Sequence, residues 1–168
     1  MGERIFITLG SQKFQFNRLL KAVDELCEKE IISAEDVFAQ IGYSDYCPRY
    51  YIYKNFLDRD EFANEMGKAD IVITHGGTGA IIGAVKKGKK VIAVPRLAKY
   101  GEHVDDHQLQ LIKQFDDLNL ICACHDTNKL EVTLDIVQRT KFNSYKSNTI
   151  NIISSIEDYI KGIAYEQR

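Results

Sequence analysis

Five short runs of apolar, largely β-branched residues recur along the chain, with helically spaced segments between them, and this alternation constrains the fold more than any other feature. The runs are "RIFITL" (Arg4–Leu9), "VFAQI" (Val37–Ile41), "IVIT" (Ile71–Thr74), "KKVIAVP" (Lys89–Pro95) and "NLICAC" (Asn119–Cys124). They are continuously apolar, the pattern of strands covered on both faces. Asn17 to Glu28 sets Leu19, Leu20, Val23, Leu26 and Cys27 on one helical face. Further helices are predicted from an Asp58 cap through Phe62 and Met66, over Ala80–Lys86 up to Gly88, and from Val104 to Phe115. Two more are expected over Thr127–Gln138 and Asn148–Ile160, and a short strand at Tyr51–Tyr53. Strands and helices in this order predict an α/β fold: a single doubly wound, Rossmann-like domain over residues 1–168 with a mainly parallel sheet.

A chain of 168 residues is long enough for one well-cored domain and short for two. Its net charge of -2, with no basic tract interleaved with aromatics, argues against nucleic acid as a partner. "MGERIFITLG" reads as a first strand and not as a signal peptide, and no apolar run approaches the roughly 20 residues of a membrane-spanning helix. Cys27, Cys47, Cys122 and Cys124 fit no zinc-ligand spacing and read as buried, reduced thiols. Tyr43–Tyr53 holds five tyrosines in eleven positions, expected partly as core and partly as surface, with a partner face as the lesser alternative.

In open parallel sheets, ligands bind beyond the carboxyl ends of the strands. Three loops leave those ends: Gly10-Ser11-Gln12, His75–Gly79 and Arg96–Gln108. The second, "HGGTG", admits two readings. Its glycines make a tight strand-to-helix turn, or they bare backbone N–H groups at a helix start for a phosphate. No Gly-Lys-Ser/Thr follows, so it is not a Walker loop, and Gly10 alone at the first turn is not a dinucleotide fingerprint. The third loop gathers Glu102, His103, Asp105, Asp106, His107 and Gln108 where a helix begins. His103 and His107, four apart, would share a face if the helix held both. A third metal ligand is not identifiable from spacing, and the alternative role is hydrogen bonding to sugar hydroxyls.

The block from Ile73 to Gln108, "ITHGGTGAIIGAVKKGKKVIAVPRLAKYGEHVDDHQ", together with "TLGSQ" (Thr8–Gln12), resembles the donor-binding half of glycosyltransferase family 28. The likeness runs over essentially the whole chain and is nearest to small bacterial exopolysaccharide and capsule glycosyltransferase subunits. The resemblance implies the C-terminal half of a two-domain glycosyltransferase-B fold that binds a UDP-sugar and transfers the sugar with inversion. It implies no tightly bound metal or cofactor. It also implies a separate, membrane-anchored glycosyltransferase subunit that binds a lipid-linked saccharide acceptor and recruits the cytoplasmic donor subunit to the inner membrane face. By position, Gly10, Ser11, Gly76, Gly77, Thr78 and Gly79 would surround the nucleotide diphosphate, and Asp105, His107 and Gln108 would contact the donor sugar.

The general base stays open among His75, Glu102, His103 and the partner subunit. Each of the three residues also has a plainer role, His75 packing in its loop and Glu102 and His103 as solvated loop groups. One position departs from the family: Gly83 stands where members commonly have a ribose-binding glutamate. A non-catalytic nucleotide-sugar-binding or enhancer subunit is therefore the alternative function, while a nicotinamide-dependent oxidoreductase is disfavoured by the missing fingerprint.

Overall fold

The computed structural model describes residues 2–166. Six strands, β1 (Ile5–Thr8), β2 (Val37–Gln40), β3 (Ile52–Lys54), β4 (Ile71–His75), β5 (Lys90–Val94) and β6 (Cys122–Ala123), form one sheet in the order β3-β2-β1-β4-β5-β6. Every neighbouring pair is parallel. Six helices connect or follow them: α1 (Asn17–Glu28), α2 (Arg59–Lys68), α3 (Thr78–Lys86), α4 (His107–Asp117), α5 (Leu130–Arg139) and α6 (Ser147–Glu166). The strand order reverses direction between β1 and β4, which opens a crevice at their carboxyl ends.

The period-2 alternation of the strands explains the two cores. Ile5, Ile7, Ile71, Ile73, Ile92 and Val94 point to one face, where Leu19, Leu20 and Val23 of α1 and Leu134 and Val137 of α5 cover them. Phe6, Val72, Val91 and Ala93 point to the other, under Met66 of α2, Ile81 of α3, Ile112 and Phe115 of α4 and Ile153 of α6. Burial on both faces is what the unbroken apolar runs require.

Local chemistry sets the element ends. Asp58 accepts a bond from the Glu61 N–H at 2.8 Å while Glu61 bonds back to the Asp58 N–H at 3.1 Å, a reciprocal cap that starts α2. Three expectations are corrected. The last strand is only Cys122–Ala123, because Asn119 takes a left-handed conformation (φ 53) and closes α4 with Leu120. The Asn119 and Leu120 N–H groups bond back to the Asp116 and Phe115 carbonyls, so the run's first half caps a helix. Helix α4 begins at His107 and not at Val104, since Asp106 accepts from the Ala98 N–H at 2.7 Å and Asp105 from the His107 N–H at 3.1 Å. His103 therefore lies off the helix. The segment from Thr127 opens with a 3-10 turn, Thr127–Lys129, before α5.

Of the cysteines, Cys27 and Cys124 are buried, Cys122 is partly buried and Cys47 is exposed, against the expectation of four buried thiols. The tyrosine-rich stretch divides as read. Tyr51 is buried with its hydroxyl donating to the Leu20 carbonyl, Tyr46 donates to the buried Asp24, and Tyr43 and Tyr50 are exposed. Among the described residues, no helix is long and apolar enough to cross a membrane.

Candidate functional site

A cleft of about 490 Å³ opens at the carboxyl ends of β1 and β4. Gly10 to Gln12, His75 to Ala80, His103, Asp105, His107 and Gln108 line it, so all of the expected diphosphate and sugar residues meet there. Glu102 does not.

The glycines of "HGGTG" have different reasons to be bare. The His75 ring is wedged between the two loops. A Cβ at Gly77 would lie 2.8 Å from its Nε2, and closer still to its Cε1. A Cβ at Gly10, where φ is +73°, would lie 2.7 Å from the same Nε2. At Gly76 a Cβ would meet the Gln108 Cβ at 2.7 Å. Gly79 alone has nothing within 4 Å, and it faces the cleft at the start of α3. The tight-turn reading thus accounts for Gly76 and Gly77, and crowding does not account for Gly79.

Helix α3 starts on Gly77 with no side-chain cap, unlike α2. Its first N–H groups and the positive end of its dipole face the cleft. Beside them the Thr78 hydroxyl is buried and has no hydrogen-bond partner. A buried hydroxyl is seldom left unmatched, so this one marks where an acceptor belongs.

Gln108, expected on the donor sugar, is 2% exposed and works first on the protein. Its Oε1 accepts from the Gly76 and Arg96 N–H groups, each at 3.0 Å. Its Nε2 lies 3.3 Å from His75 Nδ1. Because an amide nitrogen only donates, Nδ1 holds the lone pair and Nε2 of His75 carries the proton. Burial first, then the Arg96 charge and His103, pull the His75 pKa down from 6.5 to about 3. The ring is therefore a neutral donor with its lone pair occupied, which removes His75 as the base.

Glu102 is also removed, and its expected solvation is corrected. It is fully buried, with Oε1 and Oε2 held by Arg18 at 2.9 and 3.1 Å and Oε2 accepting the Leu97 N–H at 2.9 Å. His103 is likewise no solvated group. Its side chain is 8% exposed and its ring packs on Phe14 with centroids 5.3 Å apart. Burial, and next the neighbouring His107, lower its pKa. The Asp105 carboxyl is pushed up by its burial. That is outweighed by bonds from the His107 ring and backbone N–H and by the two histidine charges, and its pKa lies below the usual value.

Sequence reasoning missed two contributors. Arg96 is 1% exposed, and its guanidinium bonds the carbonyls of Leu9, Phe14, Gln15 and Glu102. It ties the loop after β1 to the loop after β5. Desolvation lowers its pKa to about 10, with Glu102 opposing. Glu157, Ile160 and Lys161 of α6 form the far wall of the cleft. Only the helical period that turns Ile153 and Ile160 inward hinted that α6 packs on the domain.

Comparison with known proteins bears on this geometry. The sequence model of the glycosyltransferase family 28 C-terminal domain matches residues 4–163. The chain is 29% identical over 116 residues to the UDP-N-acetylglucosamine transferase subunit ALG13 of Homo sapiens, covering 66% of this chain and 10% of that protein. It is 31% identical over 97 residues to the subunit of the same name from Candida glabrata, covering 57% of this chain and 46% of that protein. The chain thus spans less than half the length of these relatives. Among solved structures, an NMR structure of ALG13 superposes with a TM-score of 0.59 at 19% identity, over 86% of this chain and 89% of that one. A glycosyltransferase of kitacinnamycin superposes with a TM-score of 0.58 at 14% identity, over 95% of this chain and 39% of that one. At these identities the structures speak for a shared fold.

Proposed function

The chain belongs to the glycosyltransferase family 28 C-terminal domain family, and from that premise we propose that it is the UDP-sugar-binding, catalytic subunit of a two-subunit inverting glycosyltransferase. Membership of the family supports a transferase. The observation that carries the donor reading is the uncapped start of α3 beside the unpartnered, buried Thr78 hydroxyl. A diphosphate on the Thr78–Ala80 amides, with Ser11 across the cleft, would meet donors, a helix dipole and a bare Gly79. The His75 Nε2–H adds a neutral donor, suited to charge that grows on the departing diphosphate.

The acceptor in this proposal is a lipid-linked saccharide, brought by a membrane-anchored partner subunit during polysaccharide synthesis at the cytoplasmic face. With His75 and Glu102 occupied, deprotonation of the acceptor is left to His103 at the cleft or to the partner's half. Gly83 favours a second reading, a non-catalytic donor-binding subunit, because α3 offers no carboxylate at that position.

Titration calorimetry with a panel of UDP-sugars tests the donor site. One sugar nucleotide should bind, and Thr78→Ala should weaken it. No binding by any of the panel would reject the reading. Transfer of labelled sugar to a lipid acceptor, with and without the partner subunit, separates the catalytic from the non-catalytic form.

A further inference from the structure

Helical phase builds the far wall of the cleft. Ile153 and Ile160 are buried on the face of α6 that packs on the domain. Glu157, four residues after Ile153, and Lys161, one after Ile160, fall beside that face and line the cleft. Their side chains pair, with Lys161 Nζ 3.1 Å from Glu157 Oε1. The exposed apolar residues of the helix, Ile152, Tyr159 and Ile163, do not line the cleft.

The charges around the cleft leave an anionic ligand short of a partner. Among the described residues, Lys161 is the one lysine or arginine that lines it. Arg96 lies beneath the loops with its guanidinium committed to backbone carbonyls. The His75 ring is neutral, and Asp105, whose pKa lies below the usual value, adds a carboxylate to the rim. The start of α3 offers about half an elementary charge, less than a diphosphate carries. A full positive charge reaches the cleft only from α6. Glutamate four residues N-terminal to lysine is the favourable order for a helical pair, and such an exposed pair is weak. A phosphate oxygen can therefore take the ammonium from Glu157.

We propose that Lys161 binds the diphosphate of the donor from the wall facing α3, and that Glu157 holds its ammonium in place until the donor arrives. The inference rests on the donor reading above and adds a residue that lies outside the loop motifs. It makes α6 part of the donor site and not merely a cover for the sheet.

The test titrates UDP into the full chain by calorimetry at about 0.01 M and about 1 M salt, where the screening length falls from about 30 Å to about 3 Å. At low salt Lys161→Ala should weaken UDP binding by about 10-fold or more, the low end for a hydrogen bond to a charged group. Lys161→Arg should restore most of it. At high salt the gap between wild type and Lys161→Ala should narrow, which a packing role would not produce. Glu157→Gln frees the ammonium and should tighten UDP by about 2- to 5-fold. Lys113→Ala removes the same charge from a comparable pair with Asp117 on α4, outside the cleft, and should change nothing. A thermal melt confirms that each variant is folded. Equal affinity in wild type and Lys161→Ala overturns the proposal, as does a loss undiminished at high salt or reproduced by Lys113→Ala. Unchanged or weaker binding in Glu157→Gln overturns the role of Glu157. Absence of UDP binding by the wild-type chain rejects the donor reading and this inference with it, whereas UDP binding indifferent to Lys161 rejects the inference alone.

Discussion

Removing the Gln108 side chain separates a residue that holds the site from one that only touches the ligand. Its single carbonyl oxygen serves two buried backbone donors, the N–H groups of Gly76 and Arg96. Gln108→Ala leaves both without a partner, and a buried donor left unmatched costs about 1–3 kcal/mol. The two will not cost the same. Gly76 lines the cleft, so water can reach its N–H and hold that share near the low end. Arg96 is 1% exposed and does not line the cleft, so its N–H bears nearly the full cost. The expected loss is about 2–4 kcal/mol, a large share of the roughly 5–15 kcal/mol of a typical domain. Urea denaturation at neutral pH, with an unchanged slope, measures it. Gln108→Glu supplies the contrast. A carboxylate still accepts from both N–H groups, so most of the stability remains. However, it can no longer donate to His75 Nδ1, and the imidazole proton moves to that side. Nε2 then loses its hydrogen, and UDP binding should fall in a variant that is still folded. A loss below about 1 kcal/mol for Gln108→Ala, with weakened UDP binding, would refute the argument and return Gln108 to simple sugar contact.

Three further outcomes follow from the same geometry. Between pH 6.5 and about 3 the unfolded chain binds a proton at His75 that the folded chain does not, so stability is fully present above 6.5 and falls as the solution is acidified. At about 1.4 kcal/mol per pH unit, His75 alone should remove about 2 kcal/mol on going from pH 7 to pH 5, and urea melts of His75→Asn should lose that much less; equal losses reject the assignment. Gly79→Ala should stabilise α3 by about 0.5–1 kcal/mol while weakening UDP binding, whereas Gly77→Ala should lower the melting temperature by driving a methyl into the His75 ring; a melting temperature unchanged in Gly77→Ala would contradict this. Gly83→Glu meets nothing within 4 Å and replaces a helical glycine, so it should add about 0.5–1 kcal/mol and tighten UDP binding in calorimetry if that position can serve the ribose.

The sheet, its helices and the residues around the cleft were legible because they are local patterns. Apolar runs, helical spacing and the Asp58 cap each write themselves within a dozen residues. What escaped depends on partners far away in the chain. Glu102 read as a solvated loop group, yet Arg18, 84 residues earlier, closes on it. His75 read as a candidate base, and only its pairing with Gln108, 33 residues later, fixes its proton. The run Asn119–Cys124 read as a full strand because apolar content alone cannot tell a helix-capping turn from a sheet edge.

Arg96 has a consequence for how far the site can be reduced. Chain order puts every glycine of the cleft in the segment that ends with α3, a βαβ half of the kind that can look self-sufficient. The Leu9 carbonyl in that half is satisfied at 2.6 Å by a guanidinium 87 residues away, and the Gly76 N–H by a glutamine from α4. A fragment that stopped after α3, or a graft of "HGGTG" onto another sheet, would keep the motif and lose the groups that hold it open. The cleft is an attribute of the whole sheet, so it cannot be shortened or transplanted as a motif.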